Sequence, residues 1–342
     1  MKICHVNLAR GFSGGERQTL QLILQQIKEG SQLVVVAKPD TPFANEIKKL
    51  NCTLVTTSHF LFNHKKSITA DCDLIHVHEG QAIYWAWLQN RLYHVPYIVT
   101  RRIDNPLKNK FLSNLAYQKA SCLVGLSEAI VDAIKVRHPD AMTHKIPSSP
   151  VDYPVNTEVV ANIKNQFKDK VIVMQASNLL RHKGHNTSIE AFKLLQGSHP
   201  ELQLVLLGDG PEKENLKQQS QGMSNITFAG KQTEMGNWFA AADIFIHPSH
   251  SEGLGSVILE AIQAGLPVIG SNAGGIPDII ENNVSGLLVE AGNGKSLAEA
   301  ITLMAEDEAL KTRLLAGGKE KLKLFDIVYT CSLYDAIYRS IK

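Results

Sequence analysis

The stretch "SHSEGLGSVILEAIQAGLPVIG", residues 249–270, carries most of one βαβ turn. The run before it, "DIFIHPS" (243–249), is short, apolar and closed by Pro and Ser, which reads as a buried strand. "HSEGLG" is then the loop off its carboxyl end, "SVILEAIQAG" a helix, and "LPVIGS" the next strand. Strands joined through helices make a parallel sheet covered on both faces.

The loop also carries chemistry. Gly253 and Gly255, on either side of Leu254, permit tight turns and leave backbone N–H groups uncovered. Those groups and the electropositive start of the helix at Ser256 form an anion site. Glu260 falls one turn past Ser256, and its Cβ leans back towards the helix start, beside the anion. Carboxylates repel phosphate but accept hydrogen bonds from hydroxyls. Glu252 and Glu260 therefore suit a diphosphate flanked by polyols, a nucleotide-sugar, with Glu252 at the sugar and Glu260 at the ribose. The spacing alone fits equally a glycine-capped turn with a solvated Glu252 and a surface Glu260.

The same alternation fills the 342 residues, a length that predicts two domains. In the front half "KICHVN", "QLVVVAK", "DLIHVHEG", "PYIVTRR" and "SCLVGLSEAI" read as strands with crossovers. "KIPSSPVDYPVN" (145–156) has three prolines and reads as the linker. Six further strands follow, at "VIVMQAS", "LQLVLLG", "NITFAG", "DIFIHPS", "LPVIGS" and "SGLLVE". Helices are predicted near 184–196, 211–220, 234–241, 256–265 and 294–316. The expected class is α/β, two Rossmann-like doubly wound domains: 1–150, 151–325, and a C-terminal helix over 326–342 returning towards the first domain. Ligands bind at the carboxyl ends of such strands, so a cleft between the domains is expected.

Bulk properties narrow the function. No apolar run reaches the ~18 residues of a membrane span, and the first residues lack a secretory signal. Five scattered cysteines without CxxC spacing predict reduced thiols in a cytoplasmic protein. Residues 1–150 hold 18 Lys and Arg against 11 Asp and Glu, whereas the rest holds 17 against 22. A basic front half suits an anionic partner, although ordinary surface variation also produces such a split. Nucleic-acid motifs are absent, so no nucleic-acid partner is expected.

The motifs together resemble retaining glycosyltransferases of family 4, with GT-B architecture. "EGLGSVILEA" is similar to their E-x7-E signature, and "GLPVIGSNAGGIPDII", "KGH" (183–185), "LLGDGPEKENL", "ITFAGK", "FSGGERQ" and "LSEAI" match as well. The resemblance implies that Lys183 contacts the donor diphosphate and that Gly14 and Gly15 approach the sugar and phosphate. It also puts the base near Phe228–Lys231, thus at Gly230 and Lys231. Where the family usually has an Arg five residues before that Lys, this chain has Asn178. Arg181, or the paired Arg101 and Arg102, would then supply the missing cation.

His78 ends "LIHVH", shares a face with His76, and corresponds to a family His beside the reacting carbon. "HVHE" also faintly resembles a metal cluster but lacks a third ligand; neither metal nor cofactor is expected. His247 and His250 read as structural or loop residues. The implied reaction is sugar transfer with retention: catalytic His78, Glu252 and Lys183, front-face attack, and the departing phosphate taking the acceptor proton. The acceptor, a glycan or glycolipid, is expected on the basic front domain. "HFLFNHKK" (59–66), with Lys65 and Lys66, and "TRRIDNPLKNK" (100–110), with Arg101, Arg102 and Lys108, suit peripheral contact with an anionic membrane at its cytoplasmic face. Lipopolysaccharide or other cell-surface glycan synthesis is the expected setting. The alternatives are a sugar-nucleotide epimerase of the same fold and a non-catalytic nucleotide-sugar-binding protein.

Overall fold

Strands form where short aliphatic runs are buried on both faces, as parallel sheets require. In the first unit these are β1 (Lys2–Asn7), β2 (Gln32–Ala37), β3 (Thr53–Thr56), β4 (Leu74–Val77), β5 (Tyr97–Arg101), β6 (Cys122–Gly125) and β7 (Thr143–Lys145). They pair in parallel in the order β3-β2-β1-β4-β5-β6-β7. Crossover helices α1 (Gly14–Lys28), α2 (Pro42–Ile47), α3 (Ala82–Tyr93), α4 (Phe111–Gln118) and α5 (Glu128–Arg137) connect them. Sequence periodicity misses β3 and β7, which are short edge strands with little apolar signal.

The second unit restarts the pattern after α6 (Thr157–Gln166), a helix additional to those predicted from sequence. It contains β8 (Val171–Ala176), α7 (His185–Leu195), β9 (Leu202–Leu207), α8 (Lys213–Gln219), β10 (Ile226–Gly230), α9 (Met235–Ala241), β11 (Ile244–His247), α10 (Ser256–Gln263), β12 (Val268–Ser271), α11 (Ile276–Ile279) and β13 (Leu287–Val289). The sheet order is β10-β9-β8-β11-β12-β13. The helix expected over 294–316 is two, α12 (Gly294–Glu306) and α13 (Glu308–Leu322). Asp307 separates them because its side chain accepts from Leu310 N, capping a new helix.

The computed structural model describes residues 1–107 and 109–341; Lys108, one of the cations in the 100–110 run, and Lys342 lie outside the described residues. The chain divides into Met1–Val151 with the segment from Phe325 onward, and Asp152–Leu324. The last helix, α14 (Ile327–Ile341), therefore belongs to the first unit. Its Cys331, Tyr334, Ile337 and Tyr338 join the cluster formed by Ile3, Leu22, Ile23 and Val35. Each fully buried large apolar side chain contributes about 1.5–3 kcal/mol, enough to hold one amphipathic helix in place. All five cysteines are free.

Both sheets reverse direction beside their first strand, between β1 and β4 and between β8 and β11. At such a switch point neighbouring crossovers leave on opposite faces, opening a crevice at the carboxyl edge. The loops after β1, β4, β8 and β11 carry most of the residues singled out by sequence.

Candidate functional site

In the second unit, two loops meet at the β8/β11 switch point. The loop after β8 runs through a 3-10 turn, Arg181–Lys183, to Gly184. Gly184 has φ +71°, and a Cβ there would lie 1.9 Å from the carbonyl oxygen of Pro248 in the loop after β11. Only glycine permits that approach. His250 N donates to His182 O at 2.8 Å, tying the two loops together.

This contact brings Lys183 to Glu252. Lys183 Nζ donates to Glu252 Oε2 at 2.6 Å, and His247 Nε2 lies 2.8 Å from the same oxygen. Ser249 Oγ lies 3.2 Å from His247 Nε2 and donates to Glu252 Oε2 at 3.5 Å. The Lys183 and Glu252 side chains are 17% and 15% exposed, so the pair borders solvent without being submerged in it. Burial raises the Glu252 pKa, but His247 and Lys183 together outweigh it and hold the carboxyl at about 2. Glu252 is thus a fixed anion whose Oε2 is taken. His185, at the start of α7, donates to or accepts from Ser177 Oγ at 3.2 Å; burial, His247 and Lys183 lower its pKa to about 4.

The helix start expected at Ser256 is there. Gly255, φ +87°, is the N-cap of α10, and no side chain caps the helix. Gly253 and Leu254 are buried in the turn below it. Glu260 is 9% exposed and accepts from Tyr153 OH at 3.3 Å, which removes it from the solvated helix surface. Asn178 and Arg181 are exposed on the loop after β8; Arg181 lines a cavity of about 370 Å³ with His185, Asn186 and Glu212. Gly230 ends β10 at φ +71° after a bulge, its carbonyl accepting from Gly208 N at 2.8 Å, and Lys231 beyond it is exposed.

In the first unit, parallel register sets His5 directly beside His76, and the period of two puts His78 on the same face. His78 is 2% exposed; burial first, then His76, His5 and Arg102, keep its pKa well below that of a free imidazole. Gly14 and Gly15 open α1, where Glu16 Oε2 accepts from both Ser13 N and Ser13 Oγ at 2.8 Å. A Cβ on Gly15 would lie 3.4 Å from Arg102 Cδ, so Arg102 lies along that helix start.

The two arginines are not a surface patch. Arg101 is 9% exposed and donates to Asn105 O and Tyr117 OH. Arg102 donates to Ser148 Oγ at 3.2 Å and faces His78 Nδ1 at 3.5 Å. Arg101 closes β5, a buried strand whose polar end bends back onto its own loop. Lys65 and Lys66 are exposed, in the loop that also exposes Leu61 and Phe62. That loop is fixed to α3: Trp85 Nε1 donates to Phe62 O, and Gln89 Nε2 to Lys65 O. Phe111, at the start of α4, is 84% exposed.

Sequence reading set His247 aside, although it holds Glu252. Its signal is a polar residue closing the otherwise apolar "IFIH" at a carboxyl edge. Tyr153 and Gln26 gave no signal, because their partners lie 107 and 312 residues away.

Residues 157–321 match the family of glycosyl transferases group 1. Over 339 residues, covering 94% of each chain, the protein is 26% identical to the lipopolysaccharide core biosynthesis glycosyltransferase LpsE of Rhizobium meliloti. A second protein of that organism, the lipopolysaccharide core biosynthesis glycosyltransferase LpsD, is 34% identical over 158 residues, 45% of each chain. Among solved structures, Anabaena Alr3699/HepE in complex with UDP superposes with a TM-score of 0.85 at 21% identity, over 99% of this chain and all of that one. The fold is that of GT-B glycosyltransferases. No helix among the described residues is long and apolar enough to cross a membrane.

Proposed function

We propose that this chain, whose residues 157–321 match the group 1 glycosyl transferases, moves a sugar from a nucleoside-diphosphate sugar to an acceptor with retained configuration, in lipopolysaccharide or other cell-surface glycan synthesis. The observation that carries the reading is the ammonium of Lys183 held on Glu252 at the switch point whose loop leads into the uncapped α10. Solved relatives of this fold hold UDP and UDP-glucose, and the relatives LpsE and LpsD act in lipopolysaccharide core biosynthesis, which supports the donor class and the setting.

The chemistry follows from the donors available. An ammonium has three N–H groups. Glu252 takes one, leaving two for the oxygens of a diphosphate. As the glycosidic bond stretches, negative charge grows on the leaving phosphate. Lys183 and the free N–H groups of α10 stabilise it without reorganising, which is where such sites gain most. Glu252, ionised down to about pH 2, is a poor proton acceptor. Its Oε1 is left to accept from a sugar hydroxyl. The acceptor proton goes instead to the departing phosphate, so attack comes from the leaving-group face and configuration is retained. No metal or cofactor enters this scheme.

The acceptor is proposed to approach the first unit. Leu61, Phe62 and Phe111 expose apolar side chains, with Lys65, Lys66 and Lys110 in the same segments, and both segments pack on α3. That combination suits a glycolipid acceptor at an anionic membrane surface. A thermal-shift screen of UDP-, GDP- and ADP-sugars tests the donor, because a ligand of the native state raises the midpoint. Turnover of the stabilising donor should fall by about 10²–10³ in Lys183→Ala. No shift with any donor, or full turnover in that variant, refutes the reading.

A further inference from the structure

Three buried histidines of the first unit, His5, His76 and His78, have ring nitrogens within 4.8 Å of one another, the arrangement of a metal site. Their nitrogens are engaged otherwise. His5 Nε2 lies 2.7 Å from Gln26 Oε1, and His5 Nδ1 lies 2.8 Å from His78 Nε2. His76 Nδ1 lies 2.7 Å from Tyr338 OH, and His76 Nε2 lies 2.7 Å from Thr100 Oγ1. The remaining nitrogen, His78 Nδ1, faces the Arg102 guanidinium, a neighbour that repels a cation.

Donor and acceptor chemistry orders every proton in this network. Gln26 Nε2 donates to Tyr338 OH at 3.2 Å, so its Oε1 must accept from His5 Nε2–H. Neutral His5 then has a bare Nδ1, which accepts from His78 Nε2–H. Neutral His78 in turn has a bare Nδ1, turned to a guanidinium that only donates. On the other arm, Tyr338 OH donates to His76 Nδ1, and His76 Nε2–H donates to Thr100 Oγ1, which lies 2.9 Å from Tyr334 OH. Reversing the Gln26 amide would set an Nδ1–H of His78 against the guanidinium N–H, two donors face to face. The Arg102 end of the chain therefore selects the order.

We propose that Gln26 is a positioning residue: it fixes His78 as the Nε2–H tautomer and keeps the Nδ1 lone pair on Arg102. The catalytic part of this proposal rests on the transfer reading above and on the family correspondence of His78 to a His beside the reacting carbon. Held in this way, His78 neither gives nor takes the reaction's proton. It works as a neutral dipole that steadies Arg102 along the start of α1. The charged and titratable groups facing it are His5, His76 and Arg102, with Tyr334, Tyr338 and Glu16 around them.

Long-range proton–nitrogen spectra of the full chain labelled with 15N-histidine read the tautomer directly. The native protein should show His78 protonated on Nε2 only. In Gln26→Leu both tautomers should appear, kcat should fall about tenfold or more with the donor KM unchanged, and the kcat–pH profile should gain a limb near the ordinary histidine value. Gln26→Glu, which still accepts from His5, should restore the single tautomer. Thr100→Val, which touches the His76 arm beyond Tyr338 and leaves Gln26 its partners, should leave His78 unchanged, and these two variants decide the matter if Gln26→Leu does not fold. An Nδ1–H tautomer in the native protein, or stoichiometric Zn²⁺ uptake by the three histidines, overturns the proposal. So does a mixed tautomer in Gln26→Leu with native kcat and pH profile. The Nε2–H tautomer in a protein that turns over no donor would sustain the network and reject the transfer reading instead.

Discussion

Replacing Glu252 by Gln isolates the charge at the centre of the second unit. In the folded chain its carboxyl titrates at about 2, against 4.5 in the unfolded chain. A group whose pKa is depressed on folding adds stability above its unfolded value and loses it as pH falls towards the folded value. Each pKa unit is worth about 1.4 kcal/mol, so the ionised form contributes about 3 kcal/mol at pH 7. At pH 3, between the two values, about 1 kcal/mol remains. Glu252→Gln should thus be less stable than the native protein by up to about 3 kcal/mol at pH 7, with the gap narrowing by roughly 2 kcal/mol at pH 3. Urea unfolding followed by Trp238 fluorescence, in a background with Trp85 and Trp87 changed to Phe, reports on the second unit alone, since the chain has 3 tryptophans. Other carboxylates titrate identically in both proteins and cancel. A gap that stays constant or widens between pH 7 and pH 3 refutes the reasoning, because Glu252 would then gain nothing from His247 and Lys183.

Three further outcomes are expected. Gly184→Ala places a Cβ 1.9 Å from a backbone oxygen at a positive φ; it should cost at least about 1–3 kcal/mol, seen as a lower urea midpoint on Trp238, and should slow donor turnover. The first unit should weaken as pH falls from 6.5 towards 4, because burial lowers the pKa of His5 to about 4 and the unfolded chain binds that proton more readily; urea midpoints read on Trp85 and Trp87 check this, and a midpoint rising over that range contradicts it. Phe62→Ser combined with Phe111→Ser should leave the unfolding midpoint unchanged, since both side chains are exposed, while reducing sedimentation with phosphatidylglycerol vesicles severalfold; undiminished sedimentation rejects the membrane face.

Much of the site was legible because its residues are local in sequence. The loop after β11 holds Glu252, Gly253 and Gly255 next to α10, and strand, loop and helix follow from composition and periodicity there. Lys183 and Gly184 were legible through the family motif, and the structure adds their contact with Pro248 and Glu252. Arg101 and Arg102 read as surface cations because a charge pair at a strand end looks solvated, whereas Arg101 is buried and Arg102 half-buried. Burial of an arginine depends on what lies above it, here Tyr117, Asn105 and Ser148.

The sequence by itself determined the repeated strand–helix alternation, the parallel sheets, the linker and the glycine loops at the carboxyl edges. These follow from short-range rules: a period of two, a period of 3.6, and turn chemistry. Only the tertiary structure decided that His247 shares the Glu252 oxygen with Lys183, that Tyr153 holds Glu260, and that α14 supplies Tyr338 to His76 of β4 and Gln26 of α1. Those partners are set by which loops a sheet's strand order brings together, and no local pattern of residues encodes that distance.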